Sequence, residues 1–394
     1  MKLSHGSGSY LWMEGDEQPY LDFIMAYGST NFGHAHPKIV HAVQKAASLV
    51  DNTSPYGYTP RRELTQSLVD QLPYAVEAHQ IHCIEGGARA VEAAIEMTRI
   101  ISGRRKVISF VGAFHGYATS VIGISDLAFF SGAYAKYENH ENIQLYFPET
   151  DAEVDGTIAA LETALASRHD VACVLLETAQ GMAGFRMAPR RFFTKLQQIV
   201  TGTKTLLIVD DILMGMGRVG SLYSFSPYSL HPDLIILGKS LAGGYYPLSA
   251  IIGDENLFSG AGIACTGLDS TFADNHFGIY IANEIQKIIV EDKIYEQVQS
   301  TTVVFKAMIA ELVKKYPGHI KSMSCWGMAG SVTLESADVA YKIMELCMHE
   351  HLIIQFSGVH KNYLRFTPSL LSTPEEIAAA HAVLDKVFSE VFAS

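Results

Sequence analysis

The segments LLIVDD (206–211) and LIILGK (234–239) decide how this chain of 394 residues folds. Each is a short run of branched apolar residues that ends in charged or small residues. Apolar residues at successive positions, without alternation, are typical of strands that are buried on both faces of a parallel sheet. The two segments therefore predict central strands and place Asp210 and Lys239 at or just beyond the strand ends.

Further apolar runs of strand length lie at Val107–Val111 and Val171–Leu176. Helical patterns stand between the runs, for example at Asp155–Ala166 and Arg190–Val200. Alternation of strands and helices indicates an α/β fold in which helices cover a mostly parallel sheet. We expect this large domain to span residues 46–284.

The two ends of the chain show a different pattern. Tyr20–Phe23 predicts a short strand, and the sequence TPEE at 373–376 predicts a capping box with proline at the first helical position. A long helical stretch over Asn275–Leu312 leads from the large domain into the C-terminal part. We expect residues 1–45 and 285–394 to form a smaller α+β domain built from both termini.

Composition and charge exclude several classes of protein. Hydrophobic residues make up 48% of the chain and charged residues 18%, which excludes an intrinsically disordered chain. The 41 acidic residues outnumber the 29 basic ones, and the net charge of −12 argues against nucleic-acid binding. The five cysteines form no CxxC pair. There is neither a signal-peptide pattern nor an apolar run of about 18 residues. We expect a cytoplasmic protein without a metal site and without a membrane segment.

Five candidate residues follow the predicted strands. Open α/β sheets bind their ligands at the carboxyl ends of the strands. Phe114 and His115 follow the first apolar run, Glu177 follows the second, and Asp210 and Lys239 follow the two central runs. An aromatic ring, a histidine, two acids and a lysine are therefore expected on one edge of the sheet.

Lys239 and Asp210 have the chemistry that a pyridoxal phosphate (PLP) site needs. A lysine beside a buried wall has a lowered pKa and becomes nucleophilic, as Schiff-base chemistry requires. A carboxylate beside the ring keeps the pyridine nitrogen protonated. Taken alone, Lys239 also fits a surface lysine, and Asp210 fits a helix N-cap or a turn. The hypothesis of a PLP site rests on the two residues ending neighbouring strands.

A phosphate site is the second requirement of PLP. Gly86, Gly87 and Ala88 open the predicted helix Ala90–Ile100, and small residues there let backbone N–H groups reach a phosphate. A glycine pair of this kind also fits an ordinary turn. Phe114 is a candidate for stacking on the ring, and a core phenylalanine is the alternative.

Together these residues make the chain resemble the class III PLP-dependent aminotransferases, of the ornithine, acetylornithine, 4-aminobutyrate and diaminobutyrate type. The resemblance covers nearly the whole chain. Its most specific part is IVDD at 208–211 with GMGRVG at 215–220 and GKS at 238–240. It implies the fold of the type I PLP-dependent transferases. It also implies ping-pong transfer of an amino group between an amino acid or diamino compound and an oxo acid, with 2-oxoglutarate the expected acceptor.

The resemblance also implies a role for each matching residue. Lys239 corresponds to the lysine that carries the cofactor and moves the proton, and Asp210 to the partner of the pyridine nitrogen. Thr271 corresponds to a threonine that contacts the phosphate of the neighbouring subunit, which implies a homodimer with sites at the interface. The other implied cofactor contacts are Gly87, Ala88, Phe114, His115, Glu177 and Ile212, and the implied substrate contacts are Tyr27, Met182 and Arg365.

The sequence departs from the family pattern at three places. Met182 replaces a glutamate that, in many members, pairs with the substrate arginine and later releases it, so Arg365 lacks that switch. Leu213 replaces a glutamine that contacts the phenolic oxygen of PLP. Arg89 replaces a glutamate near the phosphate turn. These departures concern the choice of substrate and the tuning of the cofactor, and they leave the lysine chemistry intact.

Two other functions stay open at this point. A racemase or aminomutase on the same fold would use Lys239 and Asp210 but return the proton, or move the amine, within one molecule. A protein that only binds an amino compound would not need both residues. Replacing Lys239 by alanine separates a catalyst, which loses its activity, from a binding protein.

Overall fold

The computed structural model describes residues 2–52, 56–129, 142–167, 170–261 and 270–393. The strands are β1 (Leu3–Ser7), β2 (Tyr10–Met13), β3 (Tyr20–Asp22), β4 (His79–Glu85), β5 (Lys106–Phe110), β6 (Asn142–Leu145), β7 (Val171–Leu176), β8 (Ala179–Gln180), β9 (Arg186–Met187), β10 (Leu206–Asp210), β11 (Leu234–Leu237), β12 (Leu248–Asp254), β13 (Ile320–Trp326), β14 (Ala329–Leu334), β15 (Leu352–Ile353), β16 (Gln355–Ser357) and β17 (Tyr363–Phe366).

The helices surround these strands. They are α1 (Met25–Gly28), α2 (Pro37–Leu49), α3 (Thr59–Val69), α4 (Gly87–Ser102), α5 (Thr119–Ile122), α6 (Asp151–Ser167), α7 (Arg190–Thr203), α8 (Glu255–Ala261), α9 (His276–Glu291), α10 (Ile294–Lys315), α11 (Ala337–His349) and α12 (Pro374–Phe392). Within the described ranges, no helix has both the length and the apolar character that crossing a membrane requires.

The largest sheet has the strand order β4-β12-β11-β10-β7-β5-β6. Strands β11, β10, β7, β5 and β6 run parallel to one another. Strand β12 is antiparallel to both of its neighbours, β11 and β4. The prediction of a mostly parallel sheet is therefore confirmed, and the apolar runs that predicted it form its central strands.

The sheet separates two apolar cores. Leu207 and Val209 of β10 belong to the larger core, and Ile208 between them points into the smaller one beneath α4 and α8. Successive side chains of a strand point to opposite faces, so a strand covered on both sides needs apolar residues at every position. This requirement explains why the central strands lack alternation.

The chain termini form two smaller sheets. Strand β15, from the C-terminal part, pairs in parallel with β3 of the N-terminal sheet β1-β2-β3-β15. The other sheet, β13-β14-β17-β16, is antiparallel. The predicted boundaries after residues 45 and 284 lie within α2 and α9, which pack against each other. Where one domain ends and the other begins stays a prediction.

Two predictions about helices have different outcomes. The capping box at the start of α12 is present, with the Thr373 hydroxyl and the Glu376 carboxylate each accepting from the other residue's backbone N–H. The predicted long helical stretch over Asn275–Leu312 is helical, but it is divided into two helices, α9 and α10. The helices are separated at Asp292 and Lys293, and Lys293 has a left-handed backbone with φ 52°. Both helices bury an apolar face, so the apolar pattern continues across the break.

Arg218 connects three distant parts of the fold. Its side chain is fully buried, and its Nη1 donates to the carbonyl oxygens of Met328 at 2.8 Å and Pro368 at 2.5 Å. Its Nη2 donates to the side-chain oxygen of Asn31. Burial is the main cause that lowers the pKa of Arg218 to about 9, and the nearby positive charge of Arg365 contributes to this shift. The guanidinium stays charged at neutral pH and holds the N-terminal segment against β14 and β17.

Replacing Arg218 by methionine is expected to lower the free energy of unfolding of the PLP-free protein by about 3 kcal/mol, because three buried acceptors lose their donor. Arg218→Lys should recover only part of this loss, since one ammonium does not reach all three acceptors. Urea unfolding measures both effects. Arg191 is exposed and pairs with Asp155, so Arg191→Met should cost less than about 1 kcal/mol. Equal losses for Arg218→Met and Arg191→Met would contradict the structural role given to Arg218.

Candidate active site

The carboxyl edge of the large sheet brings the predicted site residues together. Strand β10 lies between β11 and β7, so Asp210, Lys239 and Glu177 occupy neighbouring strand ends. The loop after β5 adds His115, whose Nδ1 lies 2.8 Å from Asp210 Oδ2. It also adds Phe114, whose backbone N–H donates to Glu177 Oε2 at 3.0 Å. The edge thus gathers an amine, two carboxylates, an imidazole and an aromatic ring.

Asp210 and His115 form a buried pair. The relative exposure of Asp210 is 7% and that of His115 is 3%. Asp210 accepts from His115 through one oxygen and from the backbone N–H of Ile212, at 3.2 Å, through the other. A carboxylate accepts hydrogen bonds, so the imidazole proton is assigned to Nδ1. Two donors hold the carboxylate in one orientation.

Lys239 follows β11 with a left-handed backbone, φ 47°, at the start of a short 3-10 turn. Such a conformation costs a non-glycine residue roughly 1–2 kcal/mol, and the surrounding structure has to compensate for it. Burial lowers the pKa of the Lys239 ammonium, and the charge of Arg365 acts in the same direction. The carboxylates of Asp210 and Glu177 oppose this shift. A lowered pKa gives Lys239 more of the neutral, nucleophilic amine at neutral pH.

The turn Met25–Gly28 reaches the site from the N-terminal segment. Met25, Ala26 and Tyr27 all have positive φ, so α1 is one left-handed turn. The carboxylate of Asp22 accepts from two backbone N–H groups at its start and contacts His34 Nε2 at 2.9 Å. Tyr27 is 60% exposed and lies on the rim of the site.

The start of α4 has the geometry of a phosphate site. Gly86 is the N-cap with φ 81°, and no side chain caps the helix. A Cβ at Gly87 would lie 2.9 Å from the Cδ1 of Ile212, so a side chain there would collide with the residue predicted to pack on the ring. Ala88 packs against Gly116, where a Cβ would approach the Ala88 Cβ to 2.5 Å. The contact of Gly87 and Ala88 with a phosphate at this uncapped helix start stays a prediction.

Glu177 connects two loops of the site. Its Oε2 accepts from Phe114 and its Oε1 from the backbone N–H of Gly181, at 3.2 Å. Burial is the main cause that raises the pKa of Glu177 to about 7, and the neighbouring carboxylate of Asp210 adds to the rise. The positive character of His115 opposes it. Near neutral pH this carboxyl group is therefore only partly ionised.

Arg365 lies on β17 with 6% of its surface exposed. Its Nη1 is 3.4 Å from the sulfur of Met182, and its guanidinium carbon lies 4.8 Å from the centre of the Phe185 ring. Its Nε has no hydrogen-bond partner within the described part of the chain. Burial lowers the pKa of Arg365 to about 10, and the nearby Glu177 and Tyr27 oppose the shift.

Leu213 occupies the space between two glycines. A Cβ on Gly181 would lie 2.1 Å from Leu213 Cδ2, and a Cβ on Gly28 would lie 3.0 Å from Leu213 Cδ1. This hypothetical Cβ on Gly28 would also lie 3.7 Å from Cδ of Lys239, so Leu213 lies beside the aliphatic part of the lysine side chain. Gly28 has φ 82°, which also favours glycine.

The donor set fits PLP. A lysine with a lowered pKa, a buried carboxylate held by histidine, and an open helix start lie around one edge of the sheet. Sequence reasoning missed Phe185, which stacks on Arg365, and Asn31, which donates to Ser240 Oγ at 3.0 Å beside Lys239. Neither stands in a motif or at a strand end, so no signal in the sequence marks them. Among the described residues, no group of histidine, cysteine, aspartate and glutamate is arranged to hold a metal ion.

Thr271 is the one predicted site residue whose side chain the structure does not bring into this group. Its side chain is exposed, and its carbonyl accepts from Asn52 Nδ2 at 2.7 Å. The neighbouring Ser270 donates to both oxygens of Glu85, at 3.1 and 2.9 Å, close to the start of α4. The contact of Thr271 with another subunit stays a prediction.

Comparison with known proteins agrees with this geometry. The profile described as "Aminotransferase class-III" matches residues 1–388. An acetylornithine aminotransferase of Brucella melitensis is 27% identical, over 96% of this chain and 90% of that protein. A diaminobutyrate–2-oxoglutarate transaminase of Wolinella succinogenes is 26% identical, over 99% of this chain and 92% of that protein.

Solved structures show the same fold. An ornithine aminotransferase of Toxoplasma gondii superposes with a TM-score of 0.86 at 22% identity, over 100% of this chain and 91% of that chain. A thermostable omega transaminase mutant of Pseudomonas jessenii superposes with a TM-score of 0.90 at 16% identity, over 99% and 93% of the two chains. The fold is therefore that of the type I PLP-dependent transferases.

The chain belongs to the class III aminotransferases. It is a PLP-dependent enzyme that transfers an amino group.

The pKa of Glu177 has a measurable consequence for stability. The ordinary pKa is 4.5 and the folded value is about 7, so the folded state holds an extra proton between these values. The free energy of unfolding should therefore fall as the pH rises through this window, by up to about 1.4 kcal/mol per pH unit. Glu177→Gln should make this slope shallower, as measured by urea unfolding of the PLP-free protein, and the part due to Asp211, whose pKa burial also raises to about 7, should remain. Glu162→Gln, at an exposed position of α6, should keep the wild-type slope. Parallel curves for wild type and Glu177→Gln would show that the assigned shift is wrong.

Proposed function

We propose that amino transfer takes place at Lys239, with PLP held by the residues around the carboxyl edge of the large sheet. The observation that carries this proposal is a partly buried lysine with a lowered pKa, next to the buried Asp210–His115 pair. When bound, PLP supplies a carbonyl carbon for the amino group and a ring that draws electrons from the carbon losing its proton.

Each neighbouring residue has a defined part in this proposal. Lys239 would remove a proton from the substrate carbon that bears the amine and return it to the cofactor carbon that binds this amine, because its own amine is the mobile base of the site. Asp210 would keep a proton on the pyridine nitrogen, and His115 orients the Asp210 carboxylate by donating to it. Phe114 and Ile212 would cover the two faces of the ring. Glu177 holds the loops that carry Phe114 and Gly181.

The phosphate is assigned to the start of α4. The backbone N–H groups of Gly87 and Ala88 belong to the first turn of this helix, and no side chain caps it. The positive end of the helix dipole also favours an anion there.

The reaction needs an amino donor and an oxo-acid acceptor, and we propose 2-oxoglutarate as the acceptor. Arg365 is the group that would hold an acceptor carboxylate, since a planar guanidinium binds a carboxylate through two parallel hydrogen bonds. The name of the Wolinella relative includes 2-oxoglutarate, which supports this choice. Tyr27 and Met182 lie beside Arg365 and complete the proposed substrate contacts.

We further propose a cytoplasmic homodimer in which Thr271 contacts the phosphate bound by the other subunit. The Thr271 side chain is exposed, as such a contact requires. Large aromatic side chains near the proposed site are also exposed, among them Tyr27 at 60%, Tyr117 at 68% and Phe272 at 50%. Exposed apolar surface of this kind is typical of an interface. The cysteines of the described residues are free thiols, which agrees with a reducing compartment.

Lys239→Ala should abolish covalent attachment of PLP and lower the rate of amino transfer by at least roughly 10²–10⁴-fold, the range expected for loss of a positioned base. Borohydride reduction followed by peptide mass spectrometry should find PLP on Lys239 in the wild type. The control Lys342→Ala, at an exposed position of α11, should keep both the label and the activity. PLP attached to another lysine in the wild type would overturn the assignment.

A further inference from the structure

We propose that the donor is an α-amino acid with an uncharged, apolar side chain, and that Met182 and Leu213 make the site reject diamino acids and amines without a carboxylate. This inference rests on the proposed function of Lys239 and Arg365. It concerns the substrate class of the same site and differs from the acetylornithine and diaminobutyrate named in two relatives.

Arg365 is a buried cation that no carboxylate of the described residues contacts directly. Its Nη1 faces the thioether of Met182, a weak acceptor, and its Nε has no partner among the described residues. Arg218, a second buried cation, is close enough for the two charges to repel. Burying an unpaired charge costs several kcal/mol. A substrate carboxylate would remove this cost, so Arg365 is available to a carboxylate at every stage of the reaction.

Each oxygen of the two carboxylates that act on Lys239 already accepts one hydrogen bond. Both oxygens of Asp210 accept hydrogen bonds, one from His115 and one from the backbone of Ile212. Both oxygens of Glu177 accept backbone N–H groups. A second ammonium of a diamino acid would therefore have to share an oxygen that already accepts one of these hydrogen bonds.

The wall beside Arg365 and Lys239 is apolar. Leu213 and Phe185 belong to one apolar cluster, and Met182 follows Gly181, against which Leu213 packs. A distal ammonium placed here would lose its water without gaining a partner. Such a loss is unfavourable by several kcal/mol, whereas an alkyl side chain would be stabilised by the same wall.

The positions of Lys239 and Arg365 determine where the donor's carboxylate lies relative to its reacting amine. Leu213 packs beside the stem of Lys239 and against Gly181, and the next residue, Met182, contacts Arg365. The lysine and the arginine therefore flank one short stretch of wall, which suits a donor whose amine and carboxylate share one carbon. A donor whose amine is at the far end of the chain would have to hold its carboxylate elsewhere.

Four donors of equal chain length test this inference with the PLP-loaded enzyme. Norvaline, ornithine, 5-aminopentanoate and pentylamine are mixed with it separately, without an oxo acid, and conversion of bound PLP to pyridoxamine phosphate is followed by absorbance. Norvaline should convert the cofactor at least about tenfold more efficiently than each of the other three. Pentylamine leaves Arg365 unpaired, 5-aminopentanoate has its carboxylate far from the amine, and ornithine buries a second ammonium.

Two variants at one position separate charge from shape. Met182→Glu places a carboxylate next to Arg365 and should lower the efficiency of norvaline at least about tenfold relative to that of 5-aminopentanoate. Met182→Gln has nearly the same size without the charge, and its effect should be clearly smaller. Circular dichroism shows whether each variant is folded.

A binding measurement that needs no reaction provides the second readout. Pentanoate has the carboxylate but no amine, and calorimetry should show that it binds the wild type at least about tenfold more tightly than Met182→Glu. Equal binding to the two proteins would overturn the inference. Ornithine, 5-aminopentanoate or pentylamine reacting as well as norvaline would also overturn it and leave amino transfer at Lys239 intact. If no donor converts the cofactor while pentanoate binds in a Met182-dependent way, the proposed function of Lys239 fails and the carboxylate site remains.

Discussion

The guanidinium of Arg218 is the interaction on which the geometry of the site depends. It is fully buried and is bound by acceptors from the N-terminal segment, from the residue before β14 and from the residues after β17. Asn31, which accepts from Arg218, donates in turn to Ser240 beside Lys239. Pro368, which also accepts from it, lies three residues after Arg365. A single cation therefore connects the segment next to the lysine with the segment that follows the substrate arginine.

The charges around this cation do not balance. Arg218, Arg365 and Lys239 are buried or partly buried, and the carboxylates that act on them are Asp210 and Glu177. The pKa of Glu177 is about 7, so its negative charge is incomplete at neutral pH. A site with a deficit of negative charge attracts anions, and both PLP and an oxo acid are anions. Burial is the main cause of the lowered pKa of Lys239, and the positive charge of Arg365 acts in the same direction.

The sequence was informative wherever a local pattern follows from burial. Strands covered on both faces need consecutive apolar residues, so β7, β10 and β11 were visible, and with them the positions of Glu177, Asp210 and Lys239. Contacts between distant segments have no such local pattern. Nothing near Phe185 or Asn31 indicates that one lies against Arg365 and the other against Arg218. The break between α9 and α10 was missed for the same reason, because a left-handed Lys293 leaves the apolar periodicity on both sides unchanged.

The three-way fit of Leu213, Gly28 and Gly181 shows how specificity can change without loss of the lysine chemistry. Leu213 fills the space that side chains at Gly28 and Gly181 would need, so the identities of these three residues depend on one another. None of the three takes part in the hydrogen bonds from His115 and Ile212 that orient the Asp210 carboxylate. The wall that faces the substrate is thus built from residues separate from those that hold the cofactor ring. Substitutions in that wall can replace polar groups by apolar ones while Lys239, Asp210 and the start of α4 keep their geometry.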